Sequence, residues 1–346
     1  MYKFIPLTKH FRSKGEKEMN WISKTRGIAI LAVLLIHVNA PLLYEGQGSI
    51  WWLGHIFDSI SRLAVPLFLM ISGALLLHKE EPVNHYIEKR ATKILIPFIV
   101  WSVIYFVCKS SGEFNVKIFI QQFLNAKIYY HLWYFYILIP LYIFIPFLRK
   151  IIKSIPSSYI LLYAVISSGI STINDVIGIY GVNMQIFSNP FSVGVSYLLL
   201  GYVIARREYE LKYYQVYGIV SLLIILLGTY IITMWKGALS QVFYDALGLP
   251  VLMYAVMVFY LCKKHLNSGI RNYNSRFLEY IGKYSFGIYL VHPLLLSLMQ
   301  KFPLLSISAL SGNPYIMMPV TFIVVLFISL LFIMPLSKIP ILKRIT

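Results

Sequence analysis

Arg26 and His37 bracket ten uncharged residues, Gly27 to Ile36, inside one long apolar run. On an α-helix, eleven steps of 100° come to about 1100°, roughly 20° past three full turns, so the two side chains share a face about 16 Å apart along the axis. A guanidinium offers a planar fork suited to phosphate. An imidazole has a pKa suited to moving protons. The alternative for the same spacing is structural: a snorkelling arginine, and a histidine satisfied by a backbone carbonyl.

Other ionisable residues stand where charge is costly in lipid. Arg62 lies inside an apolar segment with Asp58 at i−4 on the same helical face, where the pair is either structural or part of a substrate site. His292-Pro293 interrupts a further apolar run, and proline there frees a carbonyl, as in broken helices that line cavities. His131-Leu132-Trp133-Tyr134 opens another run and reads, from its residues alone, first as an interfacial aromatic belt.

The elements that must position these groups are membrane spans. The chain is 58% hydrophobic and 13% charged, about half the charge of an ordinary soluble domain, and its mean hydropathy is +0.71. Ten runs are long enough to cross a bilayer: 25–43, 57–77, 91–108, 131–148, 157–173, 191–205, 216–235, 241–262, 285–300 and 315–335. The expected fold is an all-α, polytopic helix bundle of about ten spans. Alternate connections carry nearly all the Lys and Arg, beginning with Lys3, Lys9, Arg12, Lys14, Lys17, Lys24 and Arg26 and ending with Lys338, Lys343 and Arg344. The opposite set holds Lys109, Lys117, Lys127, Lys236 and Lys301. The positive-inside rule therefore predicts cytoplasmic termini. The implied organisation is a basic cytoplasmic segment 1–24, a membrane domain 25–335 and a cytoplasmic tail 336–346. Val38-Asn39-Ala40 imitates a signal-peptidase site, but Pro41 and the later spans favour an uncleaved first span. Segments 80–90 and 115–124 are expected to lie along the membrane surface.

The net charge of +18 falls in short clusters between apolar runs, which argues against a nucleic-acid face and for lipid contact. Cys108 and Cys262 fall near opposite faces and are too far apart to bridge. There is no Walker sequence, no Gly-x-Ser-x-Gly elbow and no His-Glu-x-x-His helix, so ATP hydrolysis and zinc chemistry have no sequence support.

With Arg26 and His37 on one face, the chain resembles the type-3 membrane acyltransferases, nearest to the O-acetyltransferases of enterobacterial common antigen. Their first-span signature is Arg, ten residues, His. Residues 62–73, His131-Leu-Trp-Tyr134 and Ser285-Phe-Gly-Ile-Tyr-Leu-Val-His292-Pro293 resemble further family segments in the same order. The resemblance implies a multi-pass bacterial inner-membrane enzyme that takes an acyl group, usually acetyl, from acyl-CoA to a glycan or lipid-linked saccharide. It also implies two arginines opening the third span, for which this chain has Arg90 and Lys93. On that basis Arg26, Arg90 and Lys93 are expected to hold the donor's phosphates. His37 is expected to act as base or acyl carrier, with Arg26 at the far end of the same face. Arg62, Asp58, His131, Trp133 and His292 are expected around the acceptor. A glycan-precursor transporter suits ten spans and a polar cavity equally, although no paired halves are visible in the sequence.

Overall fold

A computed structural model describes residues 8–110, 114–182, 190–207, 210–266, 273–301, 308–339 and 342. Of the basic residues that set the expected orientation, Lys3, Arg271, Lys343 and Arg344 lie outside them, as do parts of segments 1–24 and 336–346.

The chain is an all-α polytopic membrane bundle. Its helices are α1 (Thr8–Tyr44), α2 (Gly48–Ser61), α3 (Ala64–Leu76), α4 (Val83–Arg90), α5 (Ile96–Lys109), α6 (Val116–Leu124), α7 (Trp133–Ile151), α8 (Ser157–Gly178), α9 (Pro190–Arg206), α10 (Tyr214–Leu223), α11 (Thr229–Lys236), α12 (Leu249–Leu266), α13 (Tyr273–Lys301) and α14 (Pro314–Leu336). Among the described residues, eight helical stretches are long and apolar enough to cross a membrane, and α9 is a shorter apolar helix. Helices satisfy their own backbone groups, which lipid cannot do. Ends are finished locally: the Asn115 side chain accepts from the Ile118 amide at 3.1 Å to cap α6, and Asn313 caps α14 from the Tyr315 amide at 3.1 Å.

Three elements differ from their expected outlines. Residues 83–90 are not a detached surface segment: α4 runs through a π-helical turn (Ala91–Leu95) straight into α5. The second span starts nine residues earlier than position 57, because α2 and α3 join in one continuous crossing, Gly48–Leu76. Pro293 does not break α13, which runs on as a single helix. The Tyr105 hydroxyl instead donates to the Leu290 carbonyl at 2.7 Å and accepts from the Leu294 amide at 3.2 Å. Those two groups are i and i+4 partners along the helix, so the phenol engages both ends of one rung of the ladder beside the proline.

Two crossings of small residues set the close packing. A Cβ on Gly73 would lie 1.8 Å from the Leu198 carbonyl oxygen, and one on Gly201 1.9 Å from that of Met70, which locks α3 to α9. A Cβ on Gly27 would lie 2.3 Å from the Leu278 oxygen, and one on Gly282 1.9 Å from that of Ser23, so α1 and α13 touch backbone to backbone. Apolar side chains fall into two buried clusters, one centred on α3, α7, α9 and α12, the other on α1, α5, α13 and α14.

Candidate active site

His37 and His292 each stand ten residues beyond the glycine at which their helices touch, Gly27 and Gly282. Because α1 and α13 run parallel from that contact, both histidines rise about 15 Å and arrive side by side. Their ring centroids are 5.1 Å apart. His292 is fully buried. Its Nδ1 lies 3.0 Å from the Ile288 carbonyl, an obligate acceptor, so Nδ1 carries the proton and Nε2 the lone pair. His131, on the 3-10 turn Tyr130–Leu132 before α7, is the third member, its ring 5.8 Å from that of His292. The Tyr289 hydroxyl bonds the His131 carbonyl, and the Tyr105 ring packs 4.8 Å from its imidazole. Neither His131 nitrogen nor His292 Nε2 has a hydrogen-bond partner among the described residues.

Two cavities meet at His37. The smaller, about 610 Å³, is also lined by Asp58, Arg62, Tyr130, Trp133 and Gln241. The larger, about 1150 Å³, adds His131, Tyr134, Asn174, Asp175, Tyr244 and Asp245 to the shared His37, Arg62, Trp133 and Gln241. The His37 ring packs 5.0 Å from Tyr130. It makes no hydrogen bond to any described residue, which leaves an imidazole nitrogen available to whatever enters. Arg62 sits at the junction of α2 and α3. It is ion-paired with Asp58 through both Nε, at 2.7 Å, and Nη2. Its guanidinium lies 4.1 Å over the Tyr244 ring. Among the described residues no group of His, Cys, Asp and Glu has the arrangement of a metal site.

The remaining expected residues cluster elsewhere. Arg26 is half-buried midway along α1, eleven residues before His37, and acts electrostatically on Tyr142, as does Arg90. Arg90 lies 5.3 Å from the Tyr86 ring and 5.9 Å from that of Tyr142, with its Nε buried and unpartnered among the described residues. Lys93 is exposed on the π-helical turn. None of the three lines either cavity around His37.

A family model described as an acyltransferase domain matches residues 19–338. The chain belongs to the type-3 acyltransferases. The nodulation protein NolL of Mesorhizobium japonicum is 32% identical over 96 residues, which is 27% of this chain and 25% of that protein. The match thus spans about a quarter of the relative's length. No solved structure matches the chain.

Several residues in and around the candidate site escape the sequence reading. Asp175 and Asp245 stand close together in the wall of the larger cavity, beside Ser171 and Leu247. Asp175 lies two residues past the expected end of its span, but Asp245 falls inside one and was open to the argument that singles out Arg62. Tyr244, Tyr130 and His55 carry no spacing signal; only their packing reveals them.

Proposed function

We propose that this chain is an integral-membrane O-acyltransferase of a bacterial cytoplasmic membrane. It moves an acyl group, most simply acetyl, from acyl-CoA to a hydroxyl of a surface polysaccharide or lipid-linked saccharide. The observation that carries the reading is His37: an imidazole with no hydrogen bond to a described residue, at the wall shared by two cavities that Arg62 also lines. Family membership supports the class of reaction.

In this reading Arg26, Arg90 and Lys93 bind the donor's phosphates at the cytoplasmic rim, where Arg26 and Arg90 converge on Tyr142. The pantetheine arm spans the axial distance of about 16 Å to His37. His37 takes the acceptor hydroxyl proton as that oxygen attacks the thioester carbonyl. The tetrahedral oxyanion collapses, the C–S bond breaks, and the CoA thiolate leaves. Arg62 faces the developing negative charge or orients the acceptor. His292 and His131 back His37 as neutral imidazoles. Trp133, exposed and shared by both cavities, gives a sugar ring an apolar face to lie on.

The test is His37→Ala in membranes supplied with labelled acetyl-CoA, read as label in glycan and as free CoA thiol. Loss of a general base costs roughly 10²–10⁴-fold in turnover. Undiminished glycan labelling would remove His37 from the chemistry.

A further inference from the structure

His55 is a buried histidine that the proposed reaction does not use, and it lies one helical turn before Asp58 on α2. Its Nε2 is 3.0 Å from the Leu226 carbonyl, within the π-helical turn Ile224–Gly228 that joins α10 to α11. A carbonyl only accepts, so Nε2 carries the proton and Nδ1 presents a lone pair. Nδ1 is bonded to the Tyr244 hydroxyl, which therefore donates. Ser59, whose own hydroxyl is anchored on the His55 carbonyl at 2.7 Å, lies 3.3 Å from the same phenol oxygen. Trp51 stacks on the imidazole at 4.7 Å, 16° from parallel, and closes its other face. The Leu226 carbonyl and Trp51 hold the imidazole, the imidazole and Ser59 meet the phenol of Tyr244, and the ring of that phenol is the surface on which the Arg62 guanidinium rests. The Tyr244 carbonyl, 3.4 Å from Arg62 Nη1, adds a second hold from the same residue.

We infer that His55 is a positioning residue: through the Tyr244 phenol it fixes the Arg62 guanidinium at the wall shared by the two cavities. The consequence for turnover rests on the proposed reading of Arg62 as a substrate-facing cation; the positional claim does not. Asp58 pulls on Arg62 from its own helix, whereas Tyr244 fixes it from the segment between α11 and α12. The π-helical turn supplies the carbonyl that chooses the tautomer. π-Helical turns recur where a function needs a local departure from the regular ladder.

The experiment uses the full-length protein in detergent, with two readouts. The first is modification of Arg62 by phenylglyoxal, measured by mass spectrometry relative to Arg276, which is exposed and serves as internal standard. In His55→Leu the Arg62-to-Arg276 ratio rises several-fold. In Tyr244→Phe, which keeps the ring and loses only the hydroxyl, it rises in the same direction. In His55→Asn, whose side-chain oxygen replaces Nδ1 as acceptor, the ratio stays near wild type. An unchanged ratio in both His55→Leu and Tyr244→Phe overturns the inference, as does an equal rise in His55→Asn. The second readout is CoA release from acetyl-CoA. His55→Leu lowers kcat at least tenfold, and adds nothing in an Arg62→Ala background; additive losses overturn the inference. If wild type releases no CoA, the acyltransferase reading fails, while the labelling ratio still decides where His55 acts.

Discussion

Neutralising one member of the Asp58–Arg62 pair is the perturbation for which the geometry sets both a magnitude and an order. The Asp58 side chain is 2% exposed and that of Arg62 18%. At the 2.7 Å separation of Nε and Oδ2, an effective dielectric near 20 gives about 6 kcal/mol of attraction, most of it offset by desolvation. Breaking such a pair by removing one partner costs about 3–5 kcal/mol, because the survivor is left charged and dry. Arg62 opens onto the cavities and keeps its place over Tyr244, so Asp58→Asn strands the better-solvated partner and should cost about 3 kcal/mol, the lower end of that range. Arg62→Gln strands a carboxylate with almost no access to water and should cost more. The double variant leaves no unpaired charge and should return to within about 1 kcal/mol of wild type. The two free cysteines supply the assay. Cys262 is buried and Cys108 exposed, so in a Cys108→Ser background a fluorogenic maleimide reports unfolding as Cys262 emerges. Turnover should be lost in all three variants, whatever their stability. A double variant as unstable as the worse single one, or an Asp58→Asn protein that melts with wild type, would refute the reasoning.

Enlarging either glycine of the α3–α9 crossing, as in Gly73→Val or Gly201→Leu, should abolish accumulation of folded protein, since the new Cβ would meet a carbonyl oxygen at 1.8 or 1.9 Å; expression and gel-filtration profile check this. Lys93→Arg restores a bidentate fork and should lower the KM for acetyl-CoA several-fold, whereas Arg90→Ala should raise it with little change in kcat. Glu81, outside the spans, bonds Arg149 at 2.8 Å, which holds its carboxyl below the ordinary value of 4.5. A depressed pKa contributes stability above the unfolded value and loses it as pH falls through the folded one, so this contribution starts to fall near pH 4.5 and is gone only below the lower folded-state value. Its size is under about 1 kcal/mol, and the cysteine melt compared at pH 7 and pH 4 should show a drop that Glu81→Gln lacks.

Hydropathy and the Arg–His spacing made much of this molecule legible beforehand. The ten expected runs fall mainly on helix, although 241–262 becomes α-helical only from Leu249, and α6 appears with the predicted apolar face and an asparagine cap. The errors sit where composition misleads. The second run is placed from position 57, yet Trp51, Trp52, Gly54 and His55 already belong to the crossing, because Gly54 lets α2 approach α1 closely and His55 has buried partners. Lys89 and Arg90 read as the end of a surface segment, yet a π-helical turn carries the chain onward without a stop. Within the site, the face shared by Arg26 and His37 follows from helix geometry alone. The meeting of His37, His131 and His292 does not, since it depends on crossings and on Tyr105, all far away in the chain.

The parallel glycine contact between α1 and α13 acts as a common origin from which two rulers of equal length are laid off to His37 and His292. Substitution along either ruler leaves its length alone. Inserting or deleting one residue between glycine and histidine would swing the imidazole about 100° around its helix and shift it about 1.5 Å along the axis, turning it from its partner toward a different neighbour. These two intervals are therefore closed to changes in count, while changes of residue type within them answer only to packing, as at Tyr289 against His131.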